Sequence, residues 1–403
     1  MDNSRPLWLD TPYSSRPPWY GNDQTDIVII GGGITGISAA MHLSAMGYPP
    51  IVLERNSVAA GTSGRNAGFI IAGSVEFYHR AIGFIGHEKA KRLWQLSLDS
   101  HQQLRQWITE NDLDCEYHQN GSLVLATTPE EWLELQEAAE KLQQDGFSAE
   151  LAEQTDLNQW GAPLQNFLGG YFCQDDGEVN PAACIRELAT VAETKNAKIY
   201  ENTTVTSLRE TRENTVIVTT PDGEIETKMV LLATNAYLPQ LENILDSKII
   251  PVRGQMMATA APKDFEQLIS VPCYANFGYD YFRQLPDGRL IVGGSRDHQT
   301  RQELGYEEQP SQEIQDTLDR YLTELIGKTV PRVTHRWAGI MGFARDGLPI
   351  VGRLPYAKQI YVAGGFTGHG MSLAVTVAEI VSTLLIEGKH PDFSMFSIRR
   401  FLK

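Results

Sequence analysis

Gly31, Gly33 and Gly36 stand at the spacing G-x-G-x-x-G, directly after the apolar residues 26–30. A short run rich in Ile and Val suits a strand covered on both faces in a parallel sheet. The three glycines then serve three physical needs, namely a tight turn, close approach of bare main chain to a pyrophosphate, and close packing of a helix on a strand. A helix expected from Ile34 to about Met46, with Thr35 in its first turn, would aim free N–H groups and a positive dipole end at phosphates. Gly47 supplies the C-cap and Pro49-Pro50 forbid continuation. A second short strand, residues 51–53, ends in Glu54, followed by Arg55. A carboxylate there can accept hydrogen bonds from ribose hydroxyls and would repel a 2′-phosphate, which disfavours NADP.

A second kind of chemistry is written near the C-terminus. Residues 360–363 read as a buried strand, 364–370 as a glycine-rich loop containing Gly368, His369 and Gly370, and 371–385 as an apolar helix starting at Met371. Its start would point N–H groups at whatever lies above the loop, which makes an anion site. "GTSGRNAGFI", from Gly61 to Ile70, is a further loop rich in small and hydroxyl residues, too long and glycine-dense for a simple strand-to-helix link.

With these three segments the chain resembles the FAD-dependent amine and amino-acid oxidoreductases of the D-amino-acid oxidase superfamily, a group that includes glycine oxidase, sarcosine oxidase and gamma-glutamylputrescine oxidase. "DGEVNPAACIRELATVAETKNAKIYENTTVTSL", "MVLLATNAYLP", "PVRGQM", "WAGIMGFARDGLPIVG" and "IYVAGGFTGHGMSLAVTVAEIVSTLL" follow in the order such proteins show. The resemblance implies non-covalent FAD. It implies that Thr62, Ser63, Arg65, Asn66, Ala67 and Gly68 run along the flavin and its pyrophosphate, and that Val205 contacts adenine. Ala233, Thr234 and Gly339 would lie near the cofactor. The Gly368–Met371 segment would stabilise negative charge gathering on the reduced flavin. The implied reaction oxidises a C–N bond by hydride transfer to flavin, giving an imine that hydrolyses, with electrons passing to oxygen or another acceptor.

Three residues are candidates for substrate chemistry: His369, and Tyr281 with Arg283, which share one face of an expected strand by the two-residue period. The departures from relatives matter as much. Where glycine-oxidase-like proteins hold a substrate carboxylate with arginine, Met341 stands, and where sarcosine-oxidase-like proteins place lysines, Ser372 and Ile291 stand. A buried carboxylate lacking a cation partner is poorly compensated, so an α-amino acid would need another clamp such as Arg283 or Arg345. The preferred substrate is therefore an amine, a polyamine conjugate or an ω-amino compound. An NAD-dependent dehydrogenase would share the first 54 residues but has no use for "GTSGRNAG" or "GFTGHGM". A non-catalytic flavoprotein on the same scaffold is the remaining alternative.

The elements that must position these residues alternate along the chain. Residues 87–111 carry an amphipathic helical pattern, 121–146 a strand and a second helix, and Asp287-Gly288 mark a hairpin between strands. The expected class is α/β and α+β, a Rossmann-like FAD-binding domain (22–75, 150–236 and 335–403) interleaved with an antiparallel-sheet substrate domain (76–149 and 237–334). Residues 1–21, rich in proline, are expected to lie extended over the surface. The 34 Lys and Arg against 50 Asp and Glu give a formal charge of −16, which argues against nucleic acid as a partner. Four cysteines without C-x-x-C spacing suggest no disulfide scaffold and no metal site, and point to a cytoplasmic protein with reduced thiols. No stretch approaches the roughly 18 consecutive apolar residues of a membrane span.

Overall fold

The computed structural model describes residues 5–264, 266–327 and 330–402. Its first sheet is built on the strand Gly21–Ile30, flanked in parallel by Gly223–Leu232 on one side and Ile51–Leu53 on the other. Lys198–Tyr200 and Ile360–Gly364 extend the parallel set outward, Ile350–Arg353 closes one edge antiparallel, and the strands Ser207–Glu210 and Val216–Thr220 add a meander. The central strand is apolar without interruption at Ile27, Val28, Ile29 and Ile30 because both its faces are covered. Ile27 and Ile29 join the core under the helices, while Val28 and Ile30 join the core under the meander.

The second sheet has eight strands and is antiparallel except where Cys273–Ala275 pairs with Ser122–Ala126. Its long strands Ile249–Thr259 and Val333–Ala344 place Gly254 directly opposite Gly339. The hairpin Asp280–Gln284 to Leu290–Gly294 turns at Asp287-Gly288 as expected. The helices also form where the patterns place them. Ile34–Ala45 follows the glycines, His87–Glu110 follows a glycine at positive φ, and Pro129–Gln144 is capped by Thr128, whose side chain accepts from the Glu131 N–H.

The C-terminal helix Gly370–Glu387 is long and apolar enough to cross a bilayer, yet 72% of it is buried inside the protein, where it packs against Ile34–Ala45 and His87–Glu110.

Two expectations need correction. Residues 150–153 and 169–173 pair in the antiparallel sheet, as do 333–344, so the FAD-binding domain does not take all of 150–236 and 335–403. Strands as short as 150–153 and 169–173 carry too little pattern to declare their sheet, and 333–344 is assigned by its pairing with the distant 249–259. The N-terminal stretch also does more than lie on the surface, although residues 1–4 fall outside the described residues. Leu7–Leu9 forms a buried turn, Trp19 is buried, and Arg16 donates to both carboxylate oxygens of Glu193 at 3.0 and 2.9 Å. The first strand starts at Gly21, five residues earlier than the apolar run, because its polar half still pairs with Gly223–Leu232.

Candidate active site

The nucleotide end of the site is a cradle of main chain. Gly31 lies at φ 112°, where a side chain is strained, and a Cβ there would stand 2.8 Å from the Ala233 carbonyl oxygen. A Cβ on Gly36 would come within 1.9 Å of the Gly31 oxygen, so only glycine lets the helix sit this close on the turn. Gly33 caps the helix without a side chain, and the first turn holds no acidic residue, which leaves its N–H groups and dipole for an anion. Ser63 Oγ accepts from the Ile34 N–H at 3.1 Å and so joins the second loop to this helix, close to Thr35 and Gly36. Glu54 accepts from the Gly32 N–H at 2.8 Å and the Asn56 N–H at 2.8 Å. Burial raises its carboxyl pKa above the ordinary value and those two backbone donors oppose the rise. Thr203 donates its N–H to the Glu54 carbonyl at 2.8 Å, which brings the buried Val205 up beside the acid. Ala233 and Thr234 end the neighbouring strand, and Thr234 Oγ1 is buried with no hydrogen-bond partner among the described residues. An orphaned hydroxyl beside a glycine cradle fits a bound dinucleotide. Arg55 is exposed, its guanidinium 4.0 Å above the Tyr237 ring.

A cavity lies along the second loop. Thr62, Arg65, Asn66 and Ala67 line one side, and Gly368, His369, Met371 and Ser372 line another. The loop is held by its own polar groups: Asn66 Nδ2 donates to the Thr62 and Ser63 carbonyls, its Oδ1 accepts from the Gly68 N–H, and Arg65 donates to Ala60 and Ala338. Gly68 lies at φ 77° with the Val179 oxygen 2.2 Å from where a Cβ would be, so its role is in the turn itself. The floor is bare because the paired Gly254 and Gly339 both line the cavity. The helix Gly370–Glu387 begins here with no side-chain cap and no acidic first turn, so its positive end opens on the cavity.

The far wall is aromatic. Phe69, Tyr274 and Tyr281 pack with ring centroids 5.2 to 6.4 Å apart, and Phe77 stacks on Phe277 at 5.8 Å. Burial pushes the Tyr281 hydroxyl up to about 12 and Tyr274 upward too, so both remain neutral donors. Burial lowers His369 to about 4, against the Thr367 carbonyl it faces at 3.3 Å and with help from the charge of Arg296. Its imidazole is therefore neutral near pH 7.

The structure gathers Gly31, Gly33, Gly36, Glu54 and Ser63 around one turn and separates the substrate candidates. Tyr281 lines the cavity; Arg283 shares its face but points away, buried against the Glu178 carboxylate at 3.2 Å and the Val179 carbonyl at 3.0 Å. Arg345 is exposed at the surface and Ile291 is fully buried in the core. Neither arginine offered as a clamp meets the cavity. Met341 and Ser372 do face it, uncharged. The residue that sequence reasoning missed is Arg296, which also lines the cavity. It follows a strand in "GGSRD", and nothing in that pattern says which way the turn throws it.

Comparison with known proteins agrees with this geometry. The chain is 26% identical over 388 residues to gamma-glutamylputrescine oxidoreductase of Escherichia coli K12, covering 92% of this chain and 86% of that protein. It is 25% identical over 370 residues to glycine oxidase of Bacillus licheniformis, covering 90% and 93%. The fold is shared with L-proline dehydrogenase from P. horikoshii, with a TM-score of 0.80 at 22% identity and coverage of 95% and 99%. The model of the family described as DAO, FAD dependent oxidoreductase, matches residues 26–384. The protein belongs to that family of FAD-dependent oxidoreductases.

Proposed function

We propose that the protein oxidises the C–N bond of a small amine or amino acid, holding FAD without a covalent bond. Bound FAD supplies the acceptor for the hydride that leaves the carbon next to nitrogen. The amine becomes an imine, water hydrolyses the imine to a carbonyl compound and free amine, and the electrons go on to oxygen or another acceptor. The names of the two sequence relatives both denote oxidation of amine-bearing compounds.

The observation that carries this reading is the makeup of the cavity: cofactor loop and helix start on one side, neutral aromatic wall on the other. Only an unprotonated amine can release hydride. Walls of Phe69, Phe77, Tyr274 and Phe277 exclude water and so disfavour the ammonium form. Neutral His369 faces the Thr367 carbonyl through Nδ1, which leaves Nε2 to accept a hydrogen bond from the substrate nitrogen and orient it. The positive charge for a developing anion on the cofactor comes from the start of Gly370–Glu387, since His369 carries none. All four cysteines are free and buried, which supports placing the protein in the reducing cytoplasm.

Anaerobic addition of glycine, sarcosine, D-amino acids and polyamines to the holoenzyme tests the reading. Bleaching of the flavin band near about 450 nm by at least one of them is expected, with oxygen consumption and peroxide then identifying the acceptor. A flavin that dithionite reduces but the whole panel leaves oxidised would instead favour the non-catalytic alternative.

A further inference from the structure

Resting on that reading, we infer that Arg296 holds a carboxylate of the substrate, so that the preferred substrates are amines bearing an acidic group. The inference reverses the preference drawn from Met341 and Ser372. Those positions are indeed neutral, but the cation arrives from a different element.

The delivery is local and well fixed. Ser295 adopts a left-handed conformation at φ 57°, with both its N–H and its hydroxyl donating to Asp280 Oδ1, at 3.0 and 2.9 Å. That turn reverses the chain after the strand Leu290–Gly294 and sends Arg296 into the cavity. The guanidinium carbon lies 4.7 Å from the centre of the Tyr279 ring and 5.5 Å from that of Phe343. The two rings hold the planar group by its faces and leave its N–H edge unused.

Three other arginines near the cavity or its strands have carboxylate partners. Arg65 pairs with Glu308 at 3.1 Å, Arg253 with Glu303 at 2.7 Å and Arg283 with Glu178 at 3.2 Å. Arg296 has neither a hydrogen bond nor an ion pair among the described residues, although it is half-buried. A partly desolvated fork of five donors without an anion is an incomplete site, and a carboxylate completes it with two parallel hydrogen bonds. Arg296 lines the same cavity as His369, Tyr274 and Tyr281. Arg65 lines the same cavity but is already paired with Glu308, and Glu76 lies 4.0 Å from Arg80, so Arg296 is the lining cation left for the acidic end of a substrate among the described residues.

The test uses holoenzyme, R296M and R296K, with benzoate and its uncharged analogue benzamide as probes. R296M keeps an unbranched stem against Tyr279 and Phe343 while removing the fork, and flavin absorbance with a thermal melt verifies its fold. Binding is read by calorimetry and by perturbation of the flavin spectrum, neither of which needs turnover. Benzoate affinity is expected to fall about 30-fold or more in R296M and less in R296K, with benzamide unchanged. In turnover, kcat/KM for amino acids falls by a larger factor than that for putrescine. Equal benzoate affinity in wild type and both variants, or benzamide binding as tightly as benzoate to wild type, overturns the inference. Failure of every amine and amino acid to bleach wild-type flavin overturns the proposed function instead, and the benzoate result still decides the role of Arg296.

Discussion

The indole N–H groups of Trp8 and Trp337 donate to consecutive carbonyl oxygens, Trp8 to Asn66 at 2.8 Å and Trp337 to Arg65 at 2.9 Å. The two tryptophans are far apart in the sequence and both hold the cavity loop. Trp8 also lies beneath the Arg283 guanidinium, 5.0 Å from its ring centre. W8F would leave the Asn66 carbonyl without this donor, at a cost of about 1–3 kcal/mol. A lower melting temperature and several-fold weaker FAD retention on dilution are expected. Unchanged FAD retention would show that the loop holds its shape without the N-terminal segment.

Gly36 tests the cradle directly. The obstacle to a Cβ is the Gly31 carbonyl oxygen, which belongs to the phosphate turn and cannot rotate away like a side chain. G36A should therefore lose at least about tenfold in FAD affinity, the equivalent of an overpacking cost of about 1–3 kcal/mol. G47A is the control: Gly47 has φ 87° but nothing within 4 Å of an added Cβ, so it should cost stability and spare FAD. Equal flavin content in G36A and wild type would contradict this.

Arg283 should behave as a structural cation. R283M leaves Glu178 buried without its partner, which costs about 3–5 kcal/mol. The double variant R283M/E178Q should recover part of that loss by removing the stranded charge. Denaturant unfolding measures both, and R283M molecules that retain flavin should show unchanged KM for carboxylate substrates. A KM effect confined to R283M would return it to the substrate site.

For pH, three imidazoles act in one direction. His369 and His42 are lowered to about 4 and His101 to about 3, each chiefly by burial. Since an exposed imidazole titrates near about 6.5, the unfolded chain binds protons between there and about pH 4 that the folded chain does not. Their contribution to stability is full above that range and is lost as pH falls through it. Asp176, raised to about 7 by burial, acts in the opposite sense as pH rises from the ordinary carboxylate range. Thermal melts across this range should show H369N less acid-sensitive than wild type. The kcat/KM profile should lack a limb near about pH 6.5 belonging to His369; a limb there that vanishes in H369N would refute a neutral, buried imidazole.

Much of the cofactor site was legible because its parts are contiguous. The turn from Ile30 into Ile34 needs glycines at fixed offsets, Glu54 follows its strand directly, and His369 precedes its helix, so spacing alone carries the geometry. The substrate side was not legible in the same way. Strand alternation places Tyr281 and Arg283 on one face correctly, but it does not say that Glu178 covers the part of that face under Arg283. Likewise Leu7, Trp8 and Leu9 read as a few apolar residues among prolines, while the surface that buries them is assembled from distant segments.

The sequence by itself determined the strand–glycine–helix unit, the acid that follows it and the glycine-rich C-terminal loop, because main-chain sterics and helix termini act over a few neighbouring residues; FAD followed from the family resemblance those segments carry. Tertiary structure alone decided which arginine enters the cavity, which sheet the edge strands join and how the N-terminal turn locks the loop. Those outcomes depend on where two sheets cross and on which carboxylates lie across the gap, and a buried cation settles wherever its counter-charge is or is missing.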